Sequence, residues 1–349
     1  MKKISIIFVI SLIFFFIFNL LIVLTWPIYS NLKSNKHNYI DKQKELLNLT
    51  EQQLVTLHNE TWRNYDKFRF VPFVGHTETD RKGQLVNFSE ENGRYVNRPA
   101  ICKRNIYLYG GSTTFGYNVA DNQTIGFYLQ ELFGDKACIF NHGRAYFYSK
   151  QENNLFINHI ENQKQIDDVI FLDGINERCG GYEYMNYLNT SFNLLVEKPF
   201  LMWKISLNNF LKTLPVVQFA NSLFSSSRWI QDDNNNILEI DSCMSKIDLN
   251  ELFEKRISIR NAICNDNNIN CISFLQPMAG TSGIQIDEFL PNTKRDSLVK
   301  KYNTLKKANE IIDLKYLLDD DREVSYIDGV HYTPQTNKII SKELYNYLN

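Results

Sequence analysis

The apolar residues of this chain fall into distinct patterns that divide it before any chemistry is considered. Behind Met1, Lys2 and Lys3, the stretch ISIIFVISLIFFFIFNLLIVLTW, residues 4–26, is apolar nearly throughout, with Asn19 its one strongly polar side chain. About 23 residues of α-helix suffice to cross a hydrocarbon layer of roughly 30 Å. The run ends in TWPIYSNLK with no small-residue cleavage pattern, so it reads as an uncleaved transmembrane signal anchor. Trp26 and Tyr29 suit the interfacial belt. Residues 38–60 are polar, with Leu46, Leu47, Leu54 and Leu57 at roughly helical spacing, and read as a helical stalk. Residues 61–98 are aromatic and turn-rich, and read as short strands without evident chemistry.

From residue 104 the period switches back and forth. NIYLYG, ACIFN, DVIFLDG and NCISFLQP are short apolar runs of strand length. Between them lie helical patterns. TIGFYLQELFG places Ile125, Tyr128, Leu129, Leu132 and Phe133 on one face and stops at Gly134. Helices are also expected over 150–163, 249–265 and 294–318, and a last one opens with Thr333 as N-cap and Pro334 in the first helical position. Residues 183–240 break the alternation with SSS and DDNNN tracts and read as an insertion. Strands alternating with helices predict a parallel sheet covered on both faces, a three-layer α/β/α sandwich. The expected organisation is an anchor over 4–26, a stalk and accessory segment over 27–98, and an α/β domain over 99–349.

Bulk composition narrows the function by exclusion. Hydrophobic residues are 44% and aromatic residues 13%, enough for a sizeable core. The 38 basic and 39 acidic side chains leave a net charge of −1, and without a basic stripe no nucleic-acid partner is expected. The six cysteines, at 102, 138, 179, 243, 264 and 271, form no C-x-x-C pair, so no structural zinc site is expected. Their even number permits disulfides, but in a chain this long most read as buried free thiols. Lys2, Lys3 and the short tail before the anchor favour a cytoplasmic N-terminus and an exported domain, although Lys33, Lys36, Lys42 and Lys44 oppose that orientation.

In a parallel sheet, ligands bind beyond the carboxyl ends of the strands. Four polar elements follow that rule: Ser112 in GGSTTFG, Gly143 in NHGRAYF, Asn176 in LDGINE, and Asp328 with His331 in YIDGVHYTP. Acyl transfer needs such a set. A serine hydroxyl becomes nucleophilic when a base takes its proton. Histidine is the usual base, and a carboxylate orients it. Donors must meet the oxyanion, and the Ser112 N–H, the Gly143 N–H and the Asn176 amide are candidates. Gly110 and Gly111 would let the chain turn sharply and present the hydroxyl. Singly, each residue has a plainer reading as a turn or capping residue. GGSTTFG fits neither a phosphate-binding loop, which needs a lysine, nor a dinucleotide fingerprint. Thr114 also denies it the G-x-S-x-G elbow of lipase-type hydrolases.

Taken in order, GGS at 110–112, NHG at 141–143, GINE at 174–177 and DGVH at 328–331 resemble the four blocks of the SGNH hydrolase superfamily, the GDSL-type esterases. The resemblance covers about residues 100–349. The first block departs from the family's Gly-Asp-Ser at Gly111, and the third carries Glu177 in place of Asp. The resemblance implies a flavodoxin-like α/β/α fold and a serine esterase, with Ser112, His331 and Asp328 catalytic and Ser112, Gly143 and Asn176 as oxyanion hole. It implies no metal or organic cofactor. The substrate would be an acylated small molecule, glycan or lipid, with an acetyl ester on a cell-surface carbohydrate the leading expectation. The alternatives are an O-acyltransferase acting on a glycan hydroxyl and a non-catalytic glycan-binding protein on the same fold.

Overall fold

A computed structural model describes residues 13–22, 43–62, 68–174, 176–177, 214, 248–277, 305, 310–315, 317–318, 326–328 and 330–349. Chain contacts divide the protein into one unit of residues 1–39 with 179–246 and another of 40–178 with 247–349. The first unit is described chiefly at residues 13–22, which are helical and expose Phe14, Phe16, Phe18 and Leu20. No helix among the described residues is long and apolar enough to cross a membrane. The expected anchor over 4–26 is only partly described, and the expected insertion over 183–240, apart from residue 214, lies outside the described residues.

The second unit is built on one sheet. Its parallel strands are β6 (Asn105–Gly110), β7 (Cys138–Asn141), β8 (Asp168–Asp173), β9 (Asn270–Leu275) and β10 (Ile311–Asp313), ordered β7-β6-β8-β9-β10. Numbered along the chain from β6, that is the order 2-1-3-4-5 of a doubly wound flavodoxin-like sheet, with its switch point between β6 and β8. The sheet is mixed, where an all-parallel one was expected. Short strands β3 (Arg81–Lys82), β4 (Asn87–Ser89) and β5 (Gly93–Arg94) extend it antiparallel beyond β7. These pieces of two and three residues are too short to carry a period-two signature. A separate hairpin joins β1 (Phe68–Val71) to β2 (Gly75–Glu78).

The period of two sorts the core. Ile106, Leu108, Ile170 and Leu172 pack on one face, against Ile125, Leu129 and Phe133 of α3 (Ile125–Phe133) and Ile340 and Leu344 of α6 (Pro334–Leu348). Tyr107, Tyr109, Val169 and Phe171 pack on the other, against Leu155 and Phe156 of α4 (Ser149–Glu161) and Cys264 of α5 (Leu249–Asp266). Helices therefore cover both faces. Every residue of β8 is buried, as a central parallel strand requires.

Four further expectations change. Residues 311–313 form β10 and not part of a helix; the rest of 294–318 is described at only a few positions. The helix read as a stalk, α1 (Glu51–Trp62), lies on the domain, with Leu54 and Leu57 buried among Val86, Phe88, Phe115 and Tyr117. Four of the six cysteines are paired, as Cys102–Cys138 with Cα atoms 5.4 Å apart and Cys264–Cys271 at 6.1 Å, so most are not free thiols. Gly110 and Gly111 are not needed for left-handed backbone, since neither has a positive φ. They are needed for closeness: a Cβ at Gly110 would lie 2.0 Å from Thr114 Oγ1, and one at Gly111 would lie 2.6 Å from Asn176 Nδ2.

Candidate active site

β6 ends at Gly110, and the chain turns at once into a single helical turn, α2 (Ser112–Phe115). Its C-cap, Gly116, has φ 87°, and its N–H returns to Ser112 O. Ser112 is the first helical residue, where a backbone N–H has no acceptor within the helix. Phe115 is fully buried beneath the turn, with the Arg94 guanidinium 4.8 Å above its ring.

Asp328 and His331 come from the loop before α6. Tyr326 and Tyr332 bridge antiparallel across it, and the Ile327 N–H donates to His331 O at 2.8 Å, closing the loop on itself. Thr333 then caps α6 by accepting from the Thr336 N–H. The closed loop brings the three catalytic candidates together. His331 Nε2 lies 3.0 Å from Ser112 Oγ, and His331 Nδ1 lies 2.7 Å from Asp328 Oδ2. With Nδ1–H donating to the carboxylate, Nε2 carries the lone pair that faces the serine. Asp328 Oδ1 accepts the backbone N–H groups of Val330 at 2.8 Å and His331 at 2.7 Å. Burial alone would raise the Asp328 carboxyl, but its bonds to the His331 ring and to the two N–H groups prevail and hold it below the usual carboxylate range.

Two rings fix the imidazole from its sides. Tyr117 stacks with it at 5.8 Å and 22°, and Trp62 meets it edge-on at 5.8 Å and 74°. Burial, with the charge of Glu78 nearby, pushes the Tyr117 phenol up, so it stays neutral and donates to Glu78 Oε1.

The oxyanion candidates are placed less evenly. Asn176, on the loop after β8, sits beside residue 111 and donates one amide hydrogen to Phe147 O at 3.0 Å. An amide carries two such hydrogens. A Cβ at Gly111 would lie 2.6 Å from Asn176 Nδ2, so a side chain there would require the amide to shift. Gly143 packs against the backbone of α2, and its single N–H donates to Asn141 Oδ1 at 3.0 Å. Asn141 in turn donates to Thr114 O at 2.8 Å, tying the β7 loop to the serine turn.

Several supporting contacts carry no local sequence signal. Glu177 accepts from the Ser149 N–H at 2.7 Å, Ser149 Oγ at 3.0 Å and Arg256 Nη1 at 3.0 Å, anchoring the loop that bears Asn176. Thr113 donates to Gln276 Oε1 at 2.6 Å, pinning α2 to the end of β9. Their partners lie from 28 to 163 residues away, beyond the reach of any short motif. Among the described residues no cluster of three or more His, Cys, Asp or Glu side chains is arranged to hold a metal ion.

No family model matches the chain, and no curated protein matches it. Solved structures do. A member of the lipolytic G-D-S-L family from Veillonella parvula DSM 2008 aligns over 70% of this chain and 97% of its own, at 12% identity and TM-score 0.39. Est24, a carbohydrate acetylesterase from Sinorhizobium meliloti, aligns over 70% and 98%, at 12% identity and TM-score 0.36. The inhibitor-bound aryl esterase of M. smegmatis aligns over 70% and 98%, at 10% identity and TM-score 0.38. At these values the likeness to the three carries no argument about chemistry, which rests on the geometry of Ser112, His331 and Asp328.

Proposed function

We propose that the protein is an SGNH-type serine ester hydrolase. The observation that carries this is the unbroken chain from Ser112 Oγ to His331 Nε2 at 3.0 Å and from His331 Nδ1 to Asp328 Oδ2 at 2.7 Å. Each group has the neighbour that its role demands. Ser112 Oγ attacks the ester carbonyl carbon while its proton passes to His331 Nε2, and the carbonyl π electrons move onto oxygen. Asp328 orients the ring and balances its charge. His331 then returns the proton to the leaving alkoxide as the carbon–oxygen bond breaks. Water attacks the acyl-serine by the same route, His331 taking its proton and handing it to Ser112 Oγ as the carboxylic acid departs. The Ser112 N–H and the second Asn176 amide hydrogen serve the oxyanion. The Gly143 N–H joins them only by leaving Asn141.

The substrate class we infer is a short acyl ester, acetyl first, on a carbohydrate outside the cytoplasm, with the chain held at the membrane by residues 4–26. Two disulfides support an oxidising compartment. The exposed apolar side chains of the helical residues 13–22 support the anchor. The test is hydrolysis of p-nitrophenyl acetate and of an acetylated polysaccharide by the detergent-solubilised full chain, beside Ser112→Ala and His331→Ala. Loss of at least about a thousandfold in both variants, with circular dichroism unchanged, is expected. Equal rates in all three proteins would sink the reading.

A further inference from the structure

We infer that Asn118 is a positioning residue of the site, holding the Asp328 carboxylate in place, and that Trp62 sets the orientation of Asn118. This rests on the esterase reading, because it concerns the group that orients His331. Asn118 Nδ2 donates to Asp328 Oδ2 at 2.7 Å, the same oxygen that receives His331 Nδ1. The indole N–H of Trp62 donates to Asn118 Oδ1.

Chemistry fixes which end of the amide faces which partner. An indole N–H is a donor only, so the Asn118 atom opposite it must be the oxygen. The nitrogen must then face Asp328, whose ionised carboxylate only accepts. The count on the carboxylate closes as well. Its two oxygens offer about four acceptor sites, and four donors fill them: the N–H groups of Val330 and His331, His331 Nδ1 and Asn118 Nδ2. Without Asn118, Oδ2 has only the imidazole to hold it. Oδ1 stays on its two backbone N–H groups, but Oδ2 loses one of its two donors, so its hold on the imidazole loosens and with it the approach of His331 Nε2 to Ser112 Oγ.

The backbone supports the assignment. Asn118 has φ 64°, a left-handed conformation in which asparagine is enriched among residues with a side chain. It lies two residues past the C-cap of α2, so the segment that opens with Ser112 also supplies the support for its distant carboxylate. Trp62 is the last residue of α1, outside the stretch that resembles the hydrolase family. It meets Tyr117 at 5.0 Å as well as the His331 ring at 5.8 Å. The helix ahead of the α/β domain thereby completes the shell around the catalytic pair.

The test uses the full chain and p-nitrophenyl acetate. Asn118→Gly removes the amide but keeps the left-handed backbone free of strain. One hydrogen bond to a charged group corresponds to a fall in kcat of about ten- to a hundredfold; KM should stay within about twofold, because Asn118 acts on the reacting groups through Asp328. Trp62→Phe keeps an aromatic ring but loses the indole N–H together with part of the ring's volume; it should lower kcat by about three- to tenfold. The decisive measurement is the double variant. In an Asp328→Ala background, Asn118→Gly should cost nothing further, since the group it supports is gone. A full independent loss there would show a packing role and overturn the inference, as would wild-type kcat in Asn118→Gly. Retained activity in Ser112→Ala would instead overturn the esterase reading itself, so the two failures are separable.

Discussion

Gly143→Ala should abolish the proposed esterase activity by displacement, with every hydrogen-bond donor retained. A Cβ built on Gly143 lies 2.3 Å from Phe115 N, 2.7 Å from Thr114 C and 2.9 Å from Phe115 Cα. All three are backbone atoms of α2, so no rotamer change relieves the contact. Bringing the nearest one out to ordinary van der Waals separation, about 3.4 Å, requires a shift of about 1 Å. Either partner of the contact can yield. If α2 moves, it carries Ser112 with it, and the 3.0 Å contact with His331 Nε2 opens. If the β7 loop moves, the Arg144 N–H leaves Gly110 O and the Asn141 bridge to Thr114 O is strained. Misplacement of reacting groups by about 1 Å costs on the order of a hundredfold in rate. Overpacking costs about 1–3 kcal/mol of stability.

The assay is kcat for p-nitrophenyl acetate with Tm measured on the same preparation, and the rate of Ser112 labelling by a fluorophosphonate. Both rates should fall by about a hundredfold in a protein that still melts cooperatively. Because alanine keeps the backbone N–H, a Gly143 whose only role is to donate to the oxyanion would be left nearly intact by the change. A kcat within about threefold of wild type would refute the displacement argument and return Gly143 to the role of a simple donor.

Two further predictions concern stability. His159 is buried with its Nδ1 2.7 Å from Tyr109 Oη, and its ring centroid is 4.3 Å from that of His142; burial first, then the charges of Arg144 and Lys164, depress it to about 3. With the folded pKa below the unfolded value of roughly 6.5, its contribution is complete above pH 6.5 and is lost as pH falls towards 3, by about 2.5 kcal/mol at pH 4.5. Guanidinium melts at pH 7.5 and 4.5 should show a smaller acid loss in His159→Gln, and an identical loss would refute the assignment. The Cys102–Cys138 bridge closes a separation of 36 residues and the Cys264–Cys271 bridge one of 7. Loop-closure entropy assigns them about 3–4 and 2–3 kcal/mol; paired serine variants in denaturant melts should fall in that order, and the reverse order would contradict it.

What the sequence discloses about this site is set by separation along the chain. Asp328 and His331 are three residues apart, Ser112 follows β6 directly, and Thr333-Pro334 starts α6, so short motifs and strand ends exposed them. The order 2-1-3-4-5 puts the exits of β6 and β8 side by side, and this is why Gly111, next to Ser112, lies beside Asn176 although 65 positions divide them. Nothing comparable announces Asn118 or Trp62. Their hydrogen bond spans 56 residues and the one from Asn118 to Asp328 spans 210. Each is a side-chain contact imposed by packing, and neither residue is unusual in its local context. The glycines show the same limit from the other side. Gly110 and Gly111 are conspicuous in sequence, and conformational freedom is the first reason that comes to hand, yet the atoms that exclude a side chain there belong to Thr114 and to Asn176, 65 positions beyond Gly111. A glycine required by close approach is legible as a glycine but not as an approach, because its partner is fixed only on folding: Thr114 when α2 turns over Gly110, and Asn176 when β8 lies down beside β6. For the same reason the Gly143 prediction discriminates between roles: the atoms it would strike, Thr114 C and the Phe115 backbone, lie in the turn that carries Ser112, the proposed nucleophile, so packing and the proposed catalysis fail at one point.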